Sequence, residues 1–88
     1  GSAGGLYKGV QIGDIVVADS AEKYDGVTRL LVPENYPADA DSELTRDLIS
    51  SLQANNVIFR VGKVLTCDLY YPGPLGAPFL DAGERGLL

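Results

Sequence analysis

Histidine, tryptophan and methionine are absent from this 88-residue sequence, and cysteine occurs once. Without histidine the chain has no Ser-His-Asp triad, lacks the commonest proton shuttle and cannot form most kinds of zinc site. Cys67 cannot form an intrachain disulfide and fits a reducing compartment. Because no histidine is present to activate its thiol, we interpret Cys67 as a small buried residue and predict neither a metal site nor a nucleophile.

Basic residues are also scarce, with seven Lys and Arg against twelve Asp and Glu and a net charge of −5. Binding to a nucleic-acid backbone needs clustered positive charge, which this sequence lacks. No apolar run approaches the roughly 20 residues that span a bilayer, and no secretion signal marks the amino terminus. We therefore expect a cytoplasmic protein that binds neither nucleic acid nor membrane.

The hydrophobic content of 45% is that of a globular protein, and the length allows one small domain or a piece of a larger one. Residues 13–18 form a short apolar run that predicts a buried strand, with Asp14 and Asp19 as turn residues on either side. Residues 27–32 are interpreted as a second extended segment that Pro33 ends.

A helix is predicted next, with Asp39 or Asp41 as its N-cap. Its apolar face carries leucine and isoleucine at helical spacing, and Asn55-Asn56 can end it in the left-handed conformation. The members of that face are Leu44, Leu48, Ile49 and Leu52. The acidic group around the helix start is interpreted as capping rather than as a cation site.

The β-branched stretch 57–65 predicts a second strand after the helix, and residues 77–88 a further helix. The order of strand, helix and strand indicates a crossover connection and an α/β fold.

Two motifs suggest a ligand site. The backbone N–H groups of Gly1-Ser2-Ala3-Gly4-Gly5, with the Ser2 hydroxyl, could hold an oxyanion, although a tight turn or a cloning remnant would leave the same residues. Tyr70 or Tyr71 could stack on a flat base, and packing is the alternative role for these rings. Since side chains alternate along a strand, at most one of the two rings should stack.

Four stretches together make the chain resemble the nucleoside phosphorylase-I family, which includes purine nucleoside phosphorylase and uridine phosphorylase. The first two are Gly-Ser-Ala-Gly-Gly-Leu at 1–6 and Ile-Gly-Asp-Ile-Val-Val-Ala at 12–18. The third combines Asp-Gly-Val-Thr at 25–28 with Tyr-Pro-Ala-Asp-Ala-Asp-Ser-Glu-Leu at 36–44. The fourth is Val-Gly-Lys-Val-Leu-Thr-Cys-Asp-Leu-Tyr-Tyr-Pro-Gly at 61–73, and residues 74–88 match loosely.

The resemblance implies that residues 1–88 are a single partial domain, an α/β segment of a three-layer α/β/α fold with a mixed central sheet. It implies a pentosyltransferase that carries out reversible phosphorolysis of nucleosides, with inorganic phosphate as co-substrate and no other cofactor. Such enzymes usually assemble as hexamers, as trimers of dimers or as trimers. Their partners are the nucleoside and phosphate.

The same resemblance assigns Gly1 and Ser2 to phosphate binding. Ala3 and Gly4 fall where the family's backbone lines the base. Tyr70 matches the aromatic residue that stacks on the base, and Tyr71 matches its neighbour beside the sugar.

The family's phosphate-binding arginines, its ribose-binding Glu-Met-Glu stretch and its purine-specific aspartate have no counterpart in this sequence. None of the four arginines of this chain sits in the family's phosphate motif, and no catalytic residue is assigned. We therefore expect the 88 residues to be inactive alone, to associate through exposed strand edges, and to need the remaining segments of the enzyme.

Other functions stay open at this point. A nucleosidase of the methylthioadenosine/adenosylhomocysteine type would use water in place of phosphate, and a storage or assembly relative would keep the fold without catalysis. If the resemblance misleads, the chain is a small acidic α/β interaction module. The preference between purine and pyrimidine is not readable from these residues.

Overall fold

The computed structural model describes residues 3–68 and 82–88, which form two strands and two helices. In chain order these are β1 (Ile15–Tyr24), α1 (Gly26–Leu31), α2 (Ser42–Ala54) and β2 (Phe59–Cys67). The strands pair in parallel, from Ile15 beside Phe59 to Tyr24 beside Cys67. Parallel neighbours need a crossover connection, which the helices supply, so the predicted α/β class is confirmed.

Strand β1 is longer than predicted, because Asp19 does not end it. Ala18 pairs with Gly62 and Ser20 with Lys63, so Asp19 is an extra residue that shifts the register. Its carbonyl accepts a hydrogen bond from the backbone N–H of Ala40 at 2.9 Å, which holds residues 38–40 against the outer edge of β1. The prediction that Asp19 is a terminal turn residue was wrong, since a bulge lets the strand continue past a polar residue.

Asp14 does lie in the predicted turn before β1. Its N–H donates to the carbonyl of Gln11 at 3.0 Å, and its carboxylate accepts from the N–H of Gln11 at 2.8 Å. This reciprocal pair closes the turn before the strand begins.

Residues 27–32, predicted as extended, instead lie almost wholly within helix α1. The Asp25 carboxylate accepts from the backbone N–H of Thr28 at 3.0 Å and from its hydroxyl at 2.6 Å. The Asp68 carboxylate accepts from the N–H of Gly26 at 3.0 Å. Two carboxylates at the first turn outweigh the weak preference of Val27 and Thr28 for strands, so the prediction was wrong.

Helix α2 confirms the predicted helix, and Asp41 rather than Asp39 is its N-cap. Asp41 accepts from the backbone N–H of Leu44 at 2.8 Å, whereas Asp39 forms an antiparallel bridge with Ser20 of β1. Asn56 has a φ of 57°, the predicted left-handed end. The apolar face packs loosely, with Leu44 68% exposed.

Strand β2 begins two residues later than predicted and runs through Cys67, which is half-buried rather than buried. Beyond its outer edge lies Leu87, joined to Lys63 by a parallel bridge, and Leu88 donates its N–H to the carbonyl of Lys63 at 3.0 Å. Leu87 and Val17 are the buried hydrophobic residues of the described chain, exposed 2% and 5%. The small hydrophobic core of the described residues therefore lies along the sheet.

Residues 82–87 form a turn with the hydrogen bonds that commonly end helices. The N–H of Leu87 donates to the carbonyl of Ala82 and that of Gly86 to Gly83, while Gly86 takes a φ of 74°. Over 82–88 the predicted helix is therefore wrong, and 77–81 lie outside the described residues. No helix in the described ranges is long and apolar enough to cross a membrane.

Candidate functional site

The carboxyl ends of the two strands meet at one edge of the sheet. Tyr24 pairs with Cys67 there, and the next residues of the two strands, Asp25 and Asp68, both reach the first turn of α1. In open α/β sheets ligands bind beyond the carboxyl ends of the strands. This edge, from Tyr24–Gly26 to Cys67–Asp68, is the candidate site.

The carboxylates of Asp25 and Asp68 make this edge negatively charged, and both accept hydrogen bonds from the first turn of α1. The Thr28 hydroxyl, followed by the Thr28 backbone N–H, lowers the pKa of Asp25 from its ordinary value of 3.8. Both donors favour the ionised carboxylate. Asp25 therefore stays charged at neutral pH and serves as a fixed cap rather than as a proton donor.

A cavity of about 370 Å³ opens beside this edge, between the sheet, α1 and the loop before Ala38. Lys23 reaches over it, with its ammonium hydrogen-bonded to the carbonyl of Tyr36 and 5.8 Å from the centre of the Tyr36 ring. Thr28 and Thr66 add hydroxyls to walls that are otherwise largely apolar. Neither Lys23 nor Tyr36 was predicted as a site residue, because their contact depends on how the loop after α1 folds back against β1.

The segment that follows Ala3 and Gly4 lies beside Leu88 and the start of β2. The N–H of Leu6 donates to the carbonyl of Leu88 at 2.7 Å, level with Lys63, and the carbonyl of Gly9 accepts from Arg60 near the start of β2. Residues 6–7 therefore lie next to Leu88, and Gly9 lies next to the start of β2.

Gly4 and Ala3 are both exposed. A Cβ added to Gly4 would meet nothing within 4 Å, and its φ is not positive. Neither backbone conformation nor crowding by described residues therefore requires glycine at position 4.

The other predicted site residues, Gly1, Ser2, Tyr70 and Tyr71, lie outside the described residues. Of the predicted site residues the structure thus describes Ala3 and Gly4, both exposed, and it ends β2 at Cys67, three residues before Tyr70 in sequence. Within the described ranges no group of three or more Cys, Asp or Glu residues is placed to hold a metal ion.

A second cavity, of about 590 Å³, lies between α2 and the sheet and is lined by Asp19, Thr45, Arg46, Ile49 and Val61, among others. It reflects the loose packing of α2 and lies away from the strand ends.

Comparison with known proteins agrees with this architecture. The sequence model of one protein family, the Phosphorylase superfamily, matches residues 1–78 of this chain. The uridine phosphorylase of Thermococcus kodakarensis is 35% identical over 81 residues, which are 92% of this chain and 29% of that protein. The uridine phosphorylase of Haemophilus influenzae is 32% identical over 73 residues, 83% of this chain and 29% of that protein.

Among solved structures, the P. knowlesi homologue of P. falciparum PNP superposes with a TM-score of 0.81 at 30% identity, covering 93% of this chain and 35% of that one. These likenesses and the parallel sheet define an α/β protein of the phosphorylase type. The chain belongs to the Phosphorylase superfamily. It spans less than a third of the length of the two uridine phosphorylases.

Proposed function

We propose that the chain is a segment of a nucleoside phosphorylase, a pentosyltransferase that cleaves the N-glycosidic bond of purine or pyrimidine nucleosides with phosphate. The products are the free base and ribose 1-phosphate, and the reaction is reversible. The observation that carries the proposal is the superfamily match over residues 1–78, a range that contains all four stretches of the resemblance.

The proposed reaction requires the site to bind phosphate and to stabilise the departing base. The transition state resembles an oxocarbenium ion, so phosphate must be held below the sugar while the departing base is stabilised. Gly1 and Ser2 would receive the phosphate, and the backbone of Ala3 and Gly4 would line the base. Tyr70 would stack on the base and Tyr71 would lie beside the sugar.

Inorganic phosphate is the proposed co-substrate, and no other cofactor is invoked. The remaining charges of the site, including those that bind phosphate and ribose, would come from other segments of the enzyme. The 88 residues alone are therefore proposed to be inactive.

For the whole domain we propose the three-layer α/β/α fold with a mixed central sheet, in the cytoplasm. Support for the mixed sheet comes from the two outer edges of the pair. Residues 38–40 approach β1 in the antiparallel sense through the Ser20–Asp39 bridge, and Leu87 joins β2 in the parallel sense.

A homo-oligomer, a hexamer or a trimer of dimers, is also proposed. Helix α1 exposes Val27, Leu30 and Leu31, with 66%, 86% and 77% of their surfaces accessible. Contiguous exposed apolar side chains mark interaction surfaces, and this one would pack against a partner subunit or against the remaining segments of the enzyme. Light scattering coupled to size exclusion tests this, and a monomer at all concentrations would contradict it.

The deciding experiment measures base release from inosine, adenosine, uridine and methylthioadenosine, each with and without inorganic phosphate. Release that depends on phosphate supports the phosphorylase and identifies its base. Release without phosphate indicates a nucleosidase. No release from the folded intact protein would favour a storage or assembly relative.

A further inference from the structure

The dipeptide Asp25-Gly26, at the junction of β1 and α1, is chemically reactive in a way that the proposed reaction does not use. Among aspartyl sequences, aspartate followed by glycine is the most prone to isomerise, because glycine has no Cβ to hinder the approach of the reacting groups. Asp25-Gly26 is the single Asp-Gly pair of the sequence, and Asn-Gly does not occur. Spontaneous isomerisation of the unfolded chain would therefore be fastest at this bond.

The isomerisation has two balanced steps and needs no reagent other than water. The backbone nitrogen of Gly26 attacks Cγ of Asp25 and loses its proton, while one carboxyl oxygen leaves Cγ as water and a succinimide ring closes. Water then opens the ring. Cleavage between the nitrogen and Cγ restores aspartate, whereas cleavage between the nitrogen and the α-carbonyl carbon gives isoaspartate, whose main chain continues through the former side-chain carboxyl.

The folded structure directs the Asp25 carboxylate away from this reaction. Its Oδ2 accepts hydrogen bonds from the Thr28 backbone N–H at 3.0 Å and from the Thr28 hydroxyl at 2.6 Å. Both bonds favour the ionised carboxylate, from which water leaves only after protonation. Ring closure also requires the Cα–Cβ bond of Asp25 to eclipse the C–N bond to Gly26, and the ψ of 151° at Asp25 is far from that arrangement.

The attacking nitrogen is held by a different residue. The N–H of Gly26 donates to the carboxylate of Asp68, beyond the end of β2, at 3.0 Å. A negative charge beside this N–H opposes the loss of the proton that attack requires. Gly26 has no positive φ, and a Cβ there would lie 3.4 Å from Oδ2 of Asp68, an ordinary contact. Alanine at position 26 is therefore compatible with the fold and provides an unreactive control.

We propose that Asp25-Gly26 is a latent isoaspartate site, which the folded protein suppresses by holding Asp25 on Thr28 and Gly26 on Asp68. Isomerisation then occurs from a locally opened form, in which the first turn of α1 has lost these hydrogen bonds. The product adds one methylene group to the main chain at the carboxyl end of β1 and removes the cap of α1. This chemistry does not depend on the proposed phosphorolysis.

The first experiment follows isoaspartate at position 25 in the intact protein, aged folded and, in parallel, unfolded in urea. Trypsin cleaves after Lys23 and Arg29, so one peptide of residues 24–29 contains the bond, and chromatography separates its two isomers of equal mass. Gly26→Ala should slow the reaction in urea, which identifies the signal as succinimide chemistry. In the wild type we expect isoaspartate to form about tenfold more slowly, or slower still, in the folded protein, since the reaction must await local opening.

The second experiment releases the two reacting groups one at a time. Thr28→Val removes the hydroxyl that donates to Asp25, and Asp68→Ala removes the acceptor of the Gly26 N–H. Each variant should form isoaspartate about fivefold faster in the folded protein, the change in population that loss of one cap interaction typically causes. Asp41→Ala, which removes the cap of α2, is the matched control and should leave the rate at Asp25 unchanged.

Equal rates in the folded and the urea-unfolded wild type would overturn the proposal. Unchanged rates in both Thr28→Val and Asp68→Ala would also overturn it. An equal acceleration in Asp41→Ala would show that general stability, rather than the contacts at Asp25 and Gly26, controls the reaction, which contradicts the proposal as well. If a variant fails to fold, the comparison of folded and unfolded wild-type protein still decides whether the site is suppressed.

Discussion

The Nε of Arg85 lies 2.9 and 3.1 Å from the two carboxylate oxygens of Glu22, so one donor is shared by both acceptors. Glu22 stands on β1, beside Leu65 of β2, and Arg85 belongs to the turn that leads to the buried Leu87. The ion pair therefore spans β2 and links β1 to the turn of residues 82–87. Its side chains are 17% and 29% exposed, more sheltered than a surface pair.

Replacing Glu22 by Gln should lower the free energy of unfolding by roughly 1–2 kcal/mol, between the values for exposed and buried pairs. Arg85→Met should lower the free energy of unfolding by a similar amount, because both variants lose the ion pair between Glu22 and Arg85. Urea unfolding of both single variants and the double variant gives the coupling energy. Strictly additive losses would show that the pair contributes nothing.

The cap of α1 by Asp25 predicts a pH dependence of stability. Because hydrogen bonds from Thr28 lower the pKa of Asp25 in the folded state, the unfolded state takes up a proton at higher pH. The contribution is complete above the ordinary value of 3.8 and is lost as pH falls through the lower folded pKa.

Unfolding curves of the wild type and Asp25→Asn between pH 6 and pH 2.5 should therefore converge towards the acid end. Asp47→Asn, on the exposed surface of α2, is the control for general charge effects. A gap that stays constant over the whole range would contradict the assignment of the cap to the ionised carboxylate.

Gly62 predicts a steric effect on the edge of β2. A Cβ there would lie 2.6 and 2.9 Å from Leu88 side-chain carbons, so Gly62→Ala must displace Leu88. Overpacking of this kind typically costs about 1–3 kcal/mol. Gly4→Ala, which meets nothing within 4 Å, should leave thermal unfolding unchanged. Equal melting temperatures for both variants would show that Leu88 moves aside freely.

The parts of the fold that the sequence predicts are those that local chemistry determines. Helix α2 has apolar residues at helical spacing and an aspartate cap, and β2 is rich in β-branched residues, so both were found. Helix α1 was missed because it has six residues and depends on Asp68, 42 positions away from Gly26. No periodic pattern can show such a contact.

The candidate site could also be predicted only in part. The small residues at 1–5 suggested an anion site, but the role of Ala3 and Gly4 in lining the base came from the resemblance alone, since their side chains carry no charge or ring. The position of Lys23 over Tyr36 depends on how the loop after α1 folds back, which residue spacing does not determine. The bulge at Asp19 likewise follows from strand pairing with residues far along the chain.

Tyr70 gives the most direct test of base binding. If its ring stacks on the base, Tyr70→Ala should weaken nucleoside binding in the intact enzyme by about 1–3 kcal/mol, as for other base-stacking aromatics. Tyr70→Phe keeps the ring and should retain most of the affinity, which separates stacking from the role of the hydroxyl. The KM for phosphate should change little in either variant. A nucleoside KM unchanged in Tyr70→Ala would contradict stacking and leave Tyr70 with a packing role.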